Sequence, residues 1–107
     1  MAQALVTIPK AIARAEVIEV RCLIGHPMES GFRAGVDGKL LARNIVTLLR
    51  CTYADVVVFE AQLMNSIASN PYVSFHLRAE RSGLLRVEWI GDQGFVHTET
   101  VTIGITP

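Results

Sequence analysis

Apolar side chains recur at every second residue over most of this chain, and that period leaves few folds open to it. From Glu16 to Ile24 the even positions Ile18, Val20, Cys22 and Ile24 are apolar, while Glu19 and Arg21 stand between them. From Tyr72 to Glu80, Val73, Phe75, Leu77 and Ala79 oppose Ser74, His76, Arg78 and Glu80. From Leu84 to Ile90, Leu85, Val87 and Trp89 oppose Arg86 and Glu88; from Val56 to Leu63, Val57, Phe59, Ala61 and Leu63 oppose Glu60 and Gln62. A side-chain period of two belongs to a strand with one dry face and one wet face, the mark of antiparallel sheets.

Two further strands are less regular. Between Asn44 and Tyr53 the residues Ile45, Leu49, Cys51 and Tyr53 are expected to face inward. A helical stripe over Gly38 to Leu49 is the alternative, but the β-branched residues that follow favour a strand. From Phe95 to Ile105 the pattern changes phase: Val101, Ile103 and Ile105 point in, and so do His97 and Glu99. A bulge near Thr98 to Thr100 is expected to reconcile them. A short strand at Leu5 to Ile8, stopped by Pro9, suits a sheet edge.

Turns separate these runs. Gly91-Asp92-Gln93-Gly94 reads as a hairpin loop, Ser82-Gly83 as another turn, and Pro71 is expected to force Asn70 extended. Gly25 to Arg43 is one long loop, with Asp37-Gly38 marking a small hairpin inside it. About seven short strands in a chain of 107 residues predict a single all-β domain over 1–107, an immunoglobulin-like antiparallel β-sandwich.

Composition narrows the function. Ten basic and ten acidic residues give no net charge, and only Lys10 and Lys39 are lysines, so no basic stripe exists for nucleic acid. Half the residues are hydrophobic and 19% are charged, more apolar material than a small domain can hide. The surplus points to a partner interface. No apolar run reaches the ~20 residues of a membrane span, and the N-terminal residues lack the pattern of a secretory signal. By that alone the chain is expected in the cytoplasm.

Candidate chemistry is sparse. Cys22 and Cys51 lack CxxC spacing and fall on inward faces, so they read as inert core thiols or, alternatively, as a disulfide. His26, His76 and His97 have no zinc-ligand spacing. His26 and Met28 could join Met64 or Met1 around copper, which takes imidazole and thioether ligands. In His26-Pro27-Met28, Met28 either plugs the core beneath the long loop or belongs to a loop presented to a partner. No Ser/His/Asp set, phosphate-cradling loop or carboxylate pair is present at a catalytic spacing.

Leu23-Ile24-Gly25-His26-Pro27-Met28-Glu29-Ser30-Gly31, Ser69-Asn70-Pro71-Tyr72, Ser82-Gly83 and Trp89, in this order, resemble the SoxZ family of bacterial thiosulfate oxidation. The resemblance implies an immunoglobulin-like sandwich, a tight heterodimer with a SoxY-like subunit that carries sulfur on a cysteine, and contact with other Sox enzymes through that complex. It implies a non-enzymatic subunit with no cofactor and no catalytic residue. It also implies the periplasm, reached in company with the partner because the family subunit lacks its own signal. Ala15 stands where relatives often have Gly, Ala54-Asp55 where a turn of the Asn-Gly kind is common, and the Leu41-Ala42-Arg43 stretch lacks a frequent Pro. The residues expected at the partner interface are His26, Met28, Phe32 and Arg33. The alternative is a stand-alone periplasmic sandwich that binds copper or a small ligand.

Overall fold

The computed structural model describes residues 3–107. Seven strands build two sheets: β1 (Ala4–Thr7), β3 (Glu16–Ile24), β4 (Val46–Tyr53), β5 (Val56–Gln62), β6 (Tyr72–Ala79), β7 (Gly83–Gly91) and β8 (Val96–Ile103). The first sheet runs β1-β3-β6 and the second β5-β4-β7-β8, both antiparallel. Two short strands, β2 (Ile12–Ala13) and β9 (Ile105–Thr106), form a parallel clip between the chain's two ends. The fold is the all-β, immunoglobulin-like sandwich that the alternation predicts.

The inner faces meet as the period of two requires. Ile18, Val20, Cys22 and Ile24 of β3 are buried, as are Phe75, Leu77 and Ala79 of β6. Facing them are Leu49, Cys51 and Tyr53 of β4 and Leu85, Val87 and Trp89 of β7. Trp89 lies within the core with its indole 1% exposed. The helical alternative fails because β4 starts at Val46, where two ladders are available to it.

Three local expectations are corrected. Register runs unbroken from Gly83↔Ile103 to Ile90↔Val96, so β8 has no bulge near Thr98 to Thr100. His97 and Glu99 do face inward, but β8 is an edge strand, where an inward side chain still reaches water. They pair with each other, His97 Nε2 to Glu99 Oε1 at 2.9 Å, instead of needing to turn outward. One bulge lies in β5, where Val58 has no partner between the pairs Cys51↔Phe59 and Thr52↔Val57, and a second in β4 at Thr47, opposite β7. β5 is the other edge, and Val57, expected inside, is turned to the outer face by the bulge at Val58, where it pairs with Thr52 and is 52% exposed. Phe59 and Ala61 do pack against the core from it, Phe59 stacked on Phe75 at 4.5 Å. Asn70 is not extended: its φ is +52°.

The radius of gyration is 16.2 Å, and the molecule measures 61 × 22 × 19 Å. A compact chain of about 100 residues has a radius near 13 Å.

Candidate partner-docking site

The long loop is an arm with a fixed base. At the base two distant sequence motifs lock together. His26 N–H donates to Asn70 Oδ1 at 3.0 Å, and Asn70 N–H donates back to the His26 carbonyl at 2.7 Å. The left-handed backbone that this needs suits Asn, whose short polar side chain tolerates it. His26 Nδ1 accepts the Met28 N–H at 3.0 Å, and the ring packs edge-on against Phe95 at 4.8 Å. Met28, itself at φ +53°, turns inward and its sulfur accepts the Val46 N–H at 3.2 Å.

The returning strand of the arm is braced as firmly. Arg43 grips Asp92 with two hydrogen bonds of 2.8 Å, and Asp92 also accepts the Ile45 N–H at 3.1 Å. The Arg43 guanidinium holds the Asp92 carboxyl below the usual carboxylate range. Gly91 is required here, because a Cβ would run into the Ile45 carbonyl oxygen.

Beyond the base the arm leaves the sandwich. Glu29 pairs with Asn44, and Ala34 with Leu40, so it is a thin antiparallel ribbon. The Asp37-Gly38 turn closes it as expected: Gly35 N–H donates to the Lys39 carbonyl at 2.8 Å, and Gly38 takes φ +78°. No residue from Glu29 to Asn44 is buried. Phe32 is 76% exposed, Leu40 67%, and Val36 at the tip is entirely exposed. Arg33 lies along the ribbon against Glu29, Nη2 to Oε1 at 2.6 Å.

The four residues expected at a partner interface therefore divide. Phe32 and Arg33 are on the surface. His26 and Met28 are inside, 5% and 6% exposed, and act as the pins of the arm's base. A lone apolar residue in a loop does not announce whether it points in or out, since a loop has no period to read. Val36 and Leu40 join them on the surface; the signal for these two in the sequence is their place on either side of the Asp37-Gly38 turn.

The donors proposed for copper are engaged elsewhere. His26 Nδ1 and Met28 sulfur each accept a backbone N–H, and Met64 is an exposed surface residue. Met1 lies outside the described residues. Among the described residues no three His, Cys, Asp or Glu side chains are grouped as metal ligands are. Burial pushes the His26 imidazole below its ordinary pKa, with Asp92 opposing it. The ring is a neutral hydrogen-bond acceptor at neutral pH, suited to structure and not to acid–base work.

The family described as sulphur oxidation protein SoxZ matches residues 6–102, nearly the whole chain. The chain belongs to the SoxZ family. Its place is in the Sox sulfur-oxidation system. No curated protein sequence matches it. Among solved structures, a superoxide reductase (neelaredoxin) from Ignicoccus hospitalis is similar with TM-score 0.74 and 14% identity, over 96% of this chain and 80% of that one. A putative superoxide reductase from Thermotoga maritima has TM-score 0.75 and 10% identity, over 97% and 86%. The sulfur carrier protein SoxY from Chlorobium limicola f thiosulfatophilum has TM-score 0.68 and 13% identity, over 97% and 79%. At these identities the likeness is one of fold.

Proposed function

We propose that this SoxZ-family chain is the non-catalytic subunit of a SoxY–SoxZ sulfur carrier complex, and that its arm grips the subunit bearing the covalent sulfur adduct. The family match over residues 6–102 carries this reading. The arm supports it physically. A ribbon bearing Phe32, Val36 and Leu40 in water, on a base held by His26, Met28, Asn70 and Asp92, is costly for a lone chain and useful to a complex. Arg33, held straight by Glu29, supplies polar contacts at the rim. A stable heterodimer of this kind buries at least ~1,200 Å² in total. In this reading the complex works in the periplasm, this subunit travels there with its partner, and other Sox enzymes meet it through the complex.

Co-purification tests the proposal. Tagged chain produced together with a SoxY-like subunit is expected to elute as a heterodimer, and fractionation of the cells is expected to find both in the periplasm. Elution of the tagged chain alone would overturn the partner reading. Thiosulfate-dependent turnover by the isolated chain would overturn the non-catalytic one.

A further inference from the structure

The two cysteines come from different sheets and meet inside the core. Cys22 is on β3 of the three-stranded sheet and Cys51 on β4 of the four-stranded one. Both are free, at 1% and 0% exposure. Each lies on the inner face of its sheet, and the two thiols are neighbours across the sandwich, each the main influence on the other's ionisation. Val20 and Ile24 flank Cys22, Leu49 and Tyr53 flank Cys51, and all four are buried. Arg21 and Arg50 do not serve these thiols: each is paired on the outer face, with Glu19 and Glu60.

We infer that Cys22 and Cys51 are a latent cystine, joined into a disulfide between the two sheets when the chain folds in the presence of a disulfide oxidant. Two buried thiols from separate sheets, the chain's two cysteines, have only each other as bonding partners within the molecule. The Cys22 sulfur, and then burial, pushes the Cys51 thiol up, and both thiols are shut away from solvent, so the closed core is slow to react. The bond therefore forms before the sheets close. The thiolate of one cysteine attacks the oxidant's disulfide, and one oxidant thiolate leaves. The second cysteine's thiolate attacks the mixed disulfide, and the other oxidant thiolate leaves. Two protein thiols are oxidised to one disulfide, the oxidant is reduced to two thiols, and these take the two protons. The loop so closed contains the whole arm, and longer loops gain more from closure. The inference is independent of the partner and does not need the carrier reading to hold.

The experiment refolds the unfolded, reduced full chain in oxidised glutathione and, separately, in excess reductant. In glutathione the expected product is a monomer lighter by two hydrogens. It resists alkylation after unfolding until reduced, yields one peptide pair linking Cys22 to Cys51, and unfolds at a higher urea concentration than the reduced chain. The Cys22→Ser/Cys51→Ser variant is expected to unfold at the same midpoint in both buffers. Chain made in an oxidising compartment and alkylated at harvest is expected to show the same link. Two free thiols recovered from the oxidising arm, bonds only between molecules, or a linked chain without cooperative unfolding would each overturn the inference.

Discussion

His26 shows how much one side chain can decide. Its ring nitrogen accepts the Met28 N–H, its amide and carbonyl hold Asn70, and burial keeps it neutral. Its folded pKa lies below the ordinary 6.5, so below that pH the unfolded chain takes up a proton that the folded chain resists. Stability is therefore expected to be level above about pH 7 and to fall as the pH is lowered from there toward the folded value. Melting curves from pH 8 to pH 5 check this, with His26→Asn expected to flatten the slope; a slope unchanged in that variant would assign it to another group. Trp89 is a packing residue of the plainer kind. Trp89→Ala is expected to cost about 3–5 kcal/mol in urea unfolding, because the emptied volume sits between two sheets that cannot both move in.

At the scale of the element, turns carry the local strain. Ala15, Ala54 and Asp55 have φ of +65°, +49° and +68°, a region where a Cβ crowds the following carbonyl. At Ala15 and Ala54 the turn places a Cβ where glycine would be unstrained. Ala15 and Asp55 are exposed and free to change. Ala15→Gly and Asp55→Gly are each expected to stabilise by about 0.5–1 kcal/mol, relief of the left-handed strain outweighing the added freedom of the unfolded chain. A rise in melting temperature checks both; a fall in either would mean that the turn relaxes around its present residue. The strands repeat the lesson in another form. Inward residues of β3, β6 and β7, each in a packed sheet, follow the alternation to the end. Val57 on edge strand β5 leaves the inner face because the bulge at Val58 shifts its phase, and His97 on edge strand β8 faces inward without becoming fully buried.

At the scale of the whole molecule the arm is the feature without a purpose in the isolated chain. Its tip touches no core, so Phe32→Ser is expected to leave the melting temperature of the lone subunit within a degree or two, since exposed substitutions move stability little. Its affinity for a SoxY-like subunit is expected to fall by tenfold or more, the scale of an apolar anchor removed from an interface. Met28→Ser is the converse. It removes an apolar plug and disturbs the contact with the Val46 N–H, and is expected to cost about 2–4 kcal/mol in the lone chain. Denaturant melts of the subunit and binding titrations of the pair separate the two. A destabilised Phe32→Ser subunit with normal binding would return the arm to a purely structural role.

The period of two, the turn residues and the balance of charge were enough to determine an all-β sandwich, most of its inner faces, its long loop and the absence of a basic nucleic-acid stripe. Each of these depends on neighbours two to four residues away, which is the range over which a strand or a turn is decided. The His26-Pro27-Met28 and Asn70-Pro71-Tyr72 motifs, with Ser82-Gly83 and Trp89 in order, were enough to suggest the family. What only the tertiary structure decided is which distant groups meet: Asn70 with His26, Asp92 with Arg43, Cys22 with Cys51, Met28 with Val46. It also decided which loop residues turn inward and where the bulges fall, at Val58 in β5 and at Thr47 in β4. These outcomes follow from how two sheets of unequal width close on each other. Such a closure sums over the whole chain, and no local spacing records it.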